Sequence, residues 1–351
     1  MRSIHLVVTS FTVTILAWGL YGPVLHWGQA GMVTDAGLEL GEKYARLRPF
    51  VCVGLSYFAI GVVVPALLLK IKGETGEWTL RGILYSLAGG ALGALGALGI
   101  IMAFNFGGKP IYVMPLVFGG APVVNSFITI YLTKRMKSIG TLFMVGLVIV
   151  LLGAVTVLIS KPKPSQADQA DQPSIALAPV ESHSFRDLIL QTASIASVIV
   201  CWGAYGPVLH KGQAAMQHSR LRPLICVGLA YFAIAVLVPN LLLLGAVPEA
   251  SAYRFVGSMW SLAAGAAGAI GALGIIMAFN FGGRPVFVMP LVFGGAPVVN
   301  TMFTTFTEGL WGDVDPFFLA GLILVIAGAV MVLVFAPKSP PPAVAEVPEE
   351  K

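Results

Sequence analysis

The side chains able to do chemistry in this chain recur in pairs. Trp18, Tyr21, Pro23, His26 and Gln29 share one apolar stretch, and Trp202, Tyr205, Pro207, His210 and Gln213 share another. Trp and Tyr near the end of an apolar span commonly anchor it at the membrane–water interface. If the Gly-Pro step at 22–23 opens the helix onto an internal cavity, the same residues offer indole, phenol, imidazole and carboxamide to a polar solute. Asn125 and Asn300 each follow two prolines, Pro115 and Pro122 in one stretch and Pro290 and Pro297 in the other. Each of these prolines removes a helix hydrogen bond and is expected to kink its helix. Symmetric kinked helices are the sequence pointer to a transporter site, so Asn125 and Asn300 join the candidate cavity lining.

No Asp or Glu falls inside an apolar stretch; Asp187 and Glu308 lie at edges. A proton-driven pump usually needs an ionisable group within the membrane. Only His26 and His210 titrate in a suitable range. Facilitated passage or exchange fits equally well. The chain carries no HExxH, GxSxG or Walker A motif, so neither catalysis nor a cofactor nor a metal site is expected. Cys52, Cys201 and Cys226 lie in or beside apolar runs without metal spacing and read as small apolar residues.

The elements that must position these residues follow from composition. Of 351 residues, 57% are hydrophobic and 11% charged, with a mean hydropathy of +0.88. Soluble chains carry about 25% charged residues. A soluble enzyme, a disordered chain and a disulfide-built module are excluded. The class is an all-α integral membrane protein. The net charge of +5 sits in the connections between apolar stretches, where it orients a membrane protein rather than binding nucleic acid. The expected partners are the lipid bilayer and a small-molecule solute; monomer and homodimer both remain open.

The chain repeats itself. Residues 86–125 and 261–300 differ at 6 of 40 positions. WGLYGPVLHWGQ at 18–29 matches WGAYGPVLHKGQ at 202–213, and RLRPFVCVGLSYFAIGVVVP at 46–65 matches RLRPLICVGLAYFAIAVLVP at 220–239. The first copy adds a ten-residue insertion around 33–43. The match of 18–29 to an internal segment predicts that the N-terminal apolar run is a retained span rather than a signal peptide.

Each copy divides into five apolar stretches, near 4–25, 50–69, 82–104, 111–132 and 141–160, then 188–209, 224–244, 255–279, 286–306 and 317–335. Each is long enough to cross a bilayer as a helix. Ten transmembrane helices as a 5+5 inverted-topology repeat are therefore expected, because an odd count turns the second copy over. Residues 1–160 form the first repeat, 161–184 a polar flexible linker, 185–336 the second repeat and 337–351 a disordered Pro/Glu-rich tail. Lys and Arg divide 13 to 8 in favour of the N-terminal side, which predicts both termini in the cytoplasm of a cell-membrane protein.

Glycines recur every third residue at 90, 93, 96 and 99 and at 265, 268, 271 and 274. They predict close helix packing, and they also leave a smooth face along which helices could slide. Asn-Phe-Gly-Gly-Lys-Pro at 105–110 and Asn-Phe-Gly-Gly-Arg-Pro at 280–285 predict tight turns into a helix that begins on Pro. The cation beside each new helix N-terminus also admits an anion-attracting entrance.

Trp-Gly-x-Tyr-x-Pro on the first span, the Pro-rich fourth span, and GLVIVLLGAV at 146–155 with GLILVIAGAV at 321–330 resemble the EamA-like branch of the drug/metabolite transporter superfamily. The resemblance covers nearly the whole chain and rests on the five-plus-five pattern. It implies a central cavity, alternating access and a small-metabolite substrate, with Trp18, Tyr21, Asn125, Trp202, Tyr205 and Asn300 on the cavity-lining spans. Many members carry a Glu just after the fourth span of a half. Residues 133–140 have none, and Asp315-Pro316 is a partial analogue. The expected function is transport of a small polar or amphipathic metabolite, of amino-acid, sugar or drug-like type. A non-transporting scaffold or sensor and a small-solute channel are the alternatives.

Overall fold

The computed structural model describes residues 2–39, 42–132, 140–160, 185–245, 249–281, 285–312 and 314–335. The linker at 161–184, the tail at 337–351, most of the 133–140 loop and Arg284 fall outside them. In order, the helices are α1 (Arg2–Ala30), the short α2 (Asp35–Glu39), α3 (Leu47–Phe58), α4 (Val64–Lys72), α5 (Leu80–Asn105), α6 (Pro110–Leu132) and α7 (Thr141–Ile159). They continue with α8 (Phe185–Ala215), α9 (Leu221–Tyr231), α10 (Val238–Leu243), α11 (Phe255–Asn280), α12 (Pro285–Thr307) and α13 (Pro316–Phe335). Among the described residues there is no strand, only one antiparallel bridge between Val33 and Ser251. Seven helical stretches there are long and apolar enough to cross a membrane, and α7 and α13 carry shorter apolar stretches. The chain is an all-α membrane protein.

Two departures from regular helix come at matching places. A π-helical turn, Ala59–Val63, joins α3 to α4, and another, Phe232–Leu237, joins α9 to α10. Pro65 and Pro239 stand just beyond. Neither has an N–H to return to the carbonyl one turn back, so the helix widens there instead of breaking. By contrast, α1, α6 and α8 run unbroken through Pro23, Pro115, Pro122 and Pro207. The helix does not break at Gly22-Pro23. The backbone of α12 is likewise helical through Pro290 and Pro297.

The glycine rows are seats for the other copy. A Cβ at Gly90 would meet the Val227 backbone at 2.7 Å, one at Gly93 the Tyr231 ring at 3.0 Å, and one at Gly99 the Val198 side chain at 2.6 Å. On α11 the partners change copy: Gly265 faces Val53 at 2.7 Å and Gly268 the Tyr57 ring, while Gly274 faces Thr14. At Gly96 and Gly271 an added Cβ would collide with the indoles of Trp202 and Trp18. Small residues here let helices touch backbone to side chain where lipid supplies no hydrophobic drive.

Matching helices also meet one another head to tail. Gly146 of α7 meets Met331 of α13, and Gly153 meets Val325. Gly54 of α3 meets Ala235, and Gly61 meets Gly228 of α9 at 3.3 Å. Between these two glycine contacts Tyr57 and Tyr231 stack with ring centroids 3.6 Å apart and 2° between planes. The turn at 105–110 forms as its sequence demands. Gly107 adopts φ +86°, and the Gly108 amide donates to the Ala103 carbonyl at 2.9 Å. α6 then starts on Pro110.

Candidate functional site

At the centre the structure gathers aromatic rings from both copies. Phe118 of α6 lies between the two tryptophans, 6.4 Å from Trp18 and 6.2 Å from Trp202 by ring centroid. Tyr21 meets Trp202 edge-on at 6.0 Å, and Phe293 lies 6.3 Å from Phe118. Tyr57, Tyr21 and Tyr205 all come within electrostatic reach of Tyr231. The indoles do not point into water as an interfacial belt would. Trp18 Nε1 donates to the Gly268 carbonyl and Trp202 Nε1 to the Gly93 carbonyl, each at 3.2 Å. Each tryptophan is thus pinned to the glycine row of the opposite copy, leaving part of its ring exposed.

The candidates on α1 and α12 close one end of this centre. Tyr21 is 4% exposed, and its hydroxyl is buried without a hydrogen-bond partner. Gln29 is fully buried; its Nε2 donates to the Ala45 carbonyl at 2.9 Å and the Ile101 carbonyl at 3.1 Å, while its Oε1 has no partner. The His26 ring packs 4.5 Å from Tyr44 and 5.2 Å from Phe104. Asn300, also fully buried, donates from Nδ2 to the Pro110 carbonyl at 2.9 Å. Asn105 donates to the Tyr44 carbonyl at 2.8 Å, tying the insertion's exit to α5. Trp27 caps the end, 5.0 Å from Trp260 and 5.6 Å from Phe303.

Their counterparts are open. Tyr205, Gln213 and Asn125 are half-buried and His210 is exposed. Tyr205 is packed among protein atoms, as Tyr21 is, yet unlike Tyr21 it keeps accessible surface. A Cβ at Gly22 would meet Met114 at 2.5 Å and Asn300 Oδ1 at 3.3 Å, whereas one at Gly206 would meet only Asn125 Nδ2, at 3.6 Å. Side chains of Pro290 and its neighbour Met289 are not described. Pro115, Pro122 and Pro297 are buried in the wall.

Two glutamates absent from the sequence-based candidates prove central to the ends. Glu74, after α4, accepts from the Ser219 hydroxyl (2.6 Å), the Arg220 and Leu221 amides (2.9 and 3.2 Å) and Arg220 Nε (2.9 Å). Glu249, at the matching place after α10, accepts from the Arg46 amide, the Leu47 amide (3.1 Å) and Arg48 Nη1 (3.4 Å). Each glutamate of one copy therefore caps the first turn of the other copy's α9 or α3, where free amides favour a negative charge. The second Arg of each Arg-Leu-Arg-Pro also lies over an aromatic ring: Arg222 is 5.9 Å from Trp78 and Arg48 is 5.7 Å from Tyr253. Burial acts to raise the Glu74 carboxyl, but its four hydrogen-bond donors outweigh this and hold it below the usual carboxylate range. The sequence signal was a Glu trailing the second span of each copy, with an Arg-Leu-Arg-Pro in the other.

The insertion lies over the Glu249 clasp. Thr34 Oγ1 donates to the Ala250 carbonyl at 2.9 Å, the Ala252 amide to the Met32 carbonyl at 2.8 Å, and Arg254 pairs with Asp35 at 3.1 Å.

The chain matches no protein-family model and no curated protein.

Proposed function

We propose that this protein is a carrier that moves a small polar or amphipathic metabolite by alternating access through a central cavity between its two copies. Ten spans, five per copy and upside down relative to each other, build it, after the manner of the EamA-like transporters it resembles. The head-to-tail contacts of α7 with α13 and of α3 with α9 support that arrangement. The observation that carries the reading is unequal exposure at equal positions: Tyr21, Gln29 and Asn300 are buried while Tyr205, Gln213 and Asn125 are half-exposed. Two near-identical segments in different surroundings are what a bundle open to one side looks like. A channel needs an unbroken polar path, and the end closed by His26, Tyr44, Phe104 and Gln29 interrupts one.

The test is accumulation of a small-metabolite panel by cells producing the wild type, Tyr21→Ala or Tyr205→Ala, read by mass spectrometry. Both variants should reach the membrane and lose at least tenfold in transport of whichever solute the wild type moves. Wild-type transport by both would remove the central site. Reporter tags at Met1 and Lys351 should both be cytoplasmic; tags on opposite sides would break the ten-span count.

A further inference from the structure

We propose that the central site selects an uncharged solute with a flat apolar face and at least one hydrogen-bonding group, and rejects cations and anions of the same shape. This rests on the carrier reading and names its substrate class.

The walls supply ring faces and almost nothing else. Trp18, Trp202, Phe118, Phe293, Tyr21 and Tyr205 surround the centre. Both indole N–H groups are already used on glycine carbonyls of the opposite copy. What the tryptophans leave for a ligand is stacking surface rather than donors. Polar handles are left unused on the α1 side: the Tyr21 hydroxyl is buried among these rings without a partner, and Asn300 Oδ1, close to Gly22, is likewise unpartnered. A buried hydroxyl with nothing to bond costs free energy that a ligand polar atom would recover.

Formal charge is absent from the middle stretches of the helices that carry these rings and the glycine rows, and Arg48 and Arg222, on the helices of Tyr57 and Tyr231, sit at the ends beside Glu249 and Glu74. α6, α11 and α12 contain no Asp, Glu, Lys or Arg. α1 has none after Arg2, α5 none after Arg81, and α8 none between Asp187 and Lys211. The buried carboxylates Glu74 and Glu249 are committed to arginines and helix amides at the two ends. A charged ligand would enter with no counter-ion, and burying an unpaired charge is the most expensive step a membrane site can require. Ring faces attract cations, so a cation is the sharper competitor and the test includes one.

Three probes with one ring system separate the cases: indole, tryptamine and indole-3-acetate, neutral, cationic and anionic at pH 7. The full-length protein, purified in detergent, is melted with each at equal concentration. Indole should raise the melting temperature in a saturable way and the two charged analogues should leave it unmoved. Tyr21→Phe, which keeps the ring and deletes the hydroxyl, should weaken the indole response about three- to tenfold, with its own unliganded melting temperature recorded. Stabilisation by tryptamine or indole-3-acetate equal to that by indole overturns the selectivity and leaves the carrier reading standing. No response to any of the three overturns the proposal; wild-type transport by Tyr21→Ala and Tyr205→Ala would take the carrier reading with it.

Discussion

Residues 18–29 and 202–213 differ at two of twelve positions, and yet the end of the first segment is the more deeply buried of the two. The two differences are informative. Trp27 closes its end by packing on Trp260 and Phe303, and its counterpart Lys211 instead holds its ammonium 5.6 Å from the Tyr85 ring. An indole among aromatic rings makes a dry plug, while an ammonium keeps its surroundings hydrated. Further out the first copy has Tyr44 over His26, and at the matching position the second copy has His218, which is exposed. The shared residues build the same frame in both copies, and the unshared ones coincide with the difference in burial between its two ends.

Breaking both copies at once should give the largest effect. Gly96→Leu and Gly271→Leu each drive a side chain into an indole, and neither should yield monodisperse protein after extraction; the Ala variants should lose about 1–3 kcal/mol each, measured by thermal melting. The Glu clasps come next. Glu74→Gln and Glu249→Gln leave arginines beside a neutral carboxamide, at a cost of about 3–5 kcal/mol each, and the two losses should be alike because the clasps are alike. The plug separates the copies: Trp27→Ala should cost about 3 kcal/mol and raise labelling of a cysteine placed at Gln29, whereas Lys211→Ala should do neither. Gln29→Ala should cost about 1–3 kcal/mol through the carbonyls of Ala45 and Ile101 that it leaves unmet, against about 0.5 kcal/mol or less for the half-buried Gln213→Ala.

Acid should produce the smallest and most graded change. Glu74 titrates lower in the folded protein than its ordinary value of 4.5. Its clasp is therefore complete above that value and is lost as pH falls through the lowered one. Melting temperature followed downward from pH 7 should drop in that window, and Glu74→Gln should flatten the drop.

The helical class, the repeat and the packing role of the glycines were legible because they depend on period and composition, which a sequence displays directly. The Asn-Phe-Gly-Gly-Lys-Pro turn was legible for the same reason: Gly107 and Pro110 each dictate a local backbone. The prolines mark two different outcomes. Four prolines within α1, α6 and α8 leave the helix continuous, while Pro65 and Pro239 mark the widened turns. What a proline does to its helix depends on the neighbours that accommodate the freed carbonyl, and no local pattern carries that. The glutamate clasps were hidden because Glu74 and Arg220 are far apart in sequence and meet only when the copies cross. The difference between Tyr21 and Tyr205 could not be read from the tyrosines, since identical residues diverge only through what packs around them.

The ten extra residues near 33–43 have no partner in the second copy, and they lie against 250–254 over one clasp alone. A machine built from two equal halves would rest in either of two mirror poses with equal ease. For the carrier proposed above, fastening a strap across only one mouth tilts that balance and gives the empty protein a preferred parking position. Trimming the strap should bring the two poses toward equal occupancy and change which face of the membrane meets the vacant site.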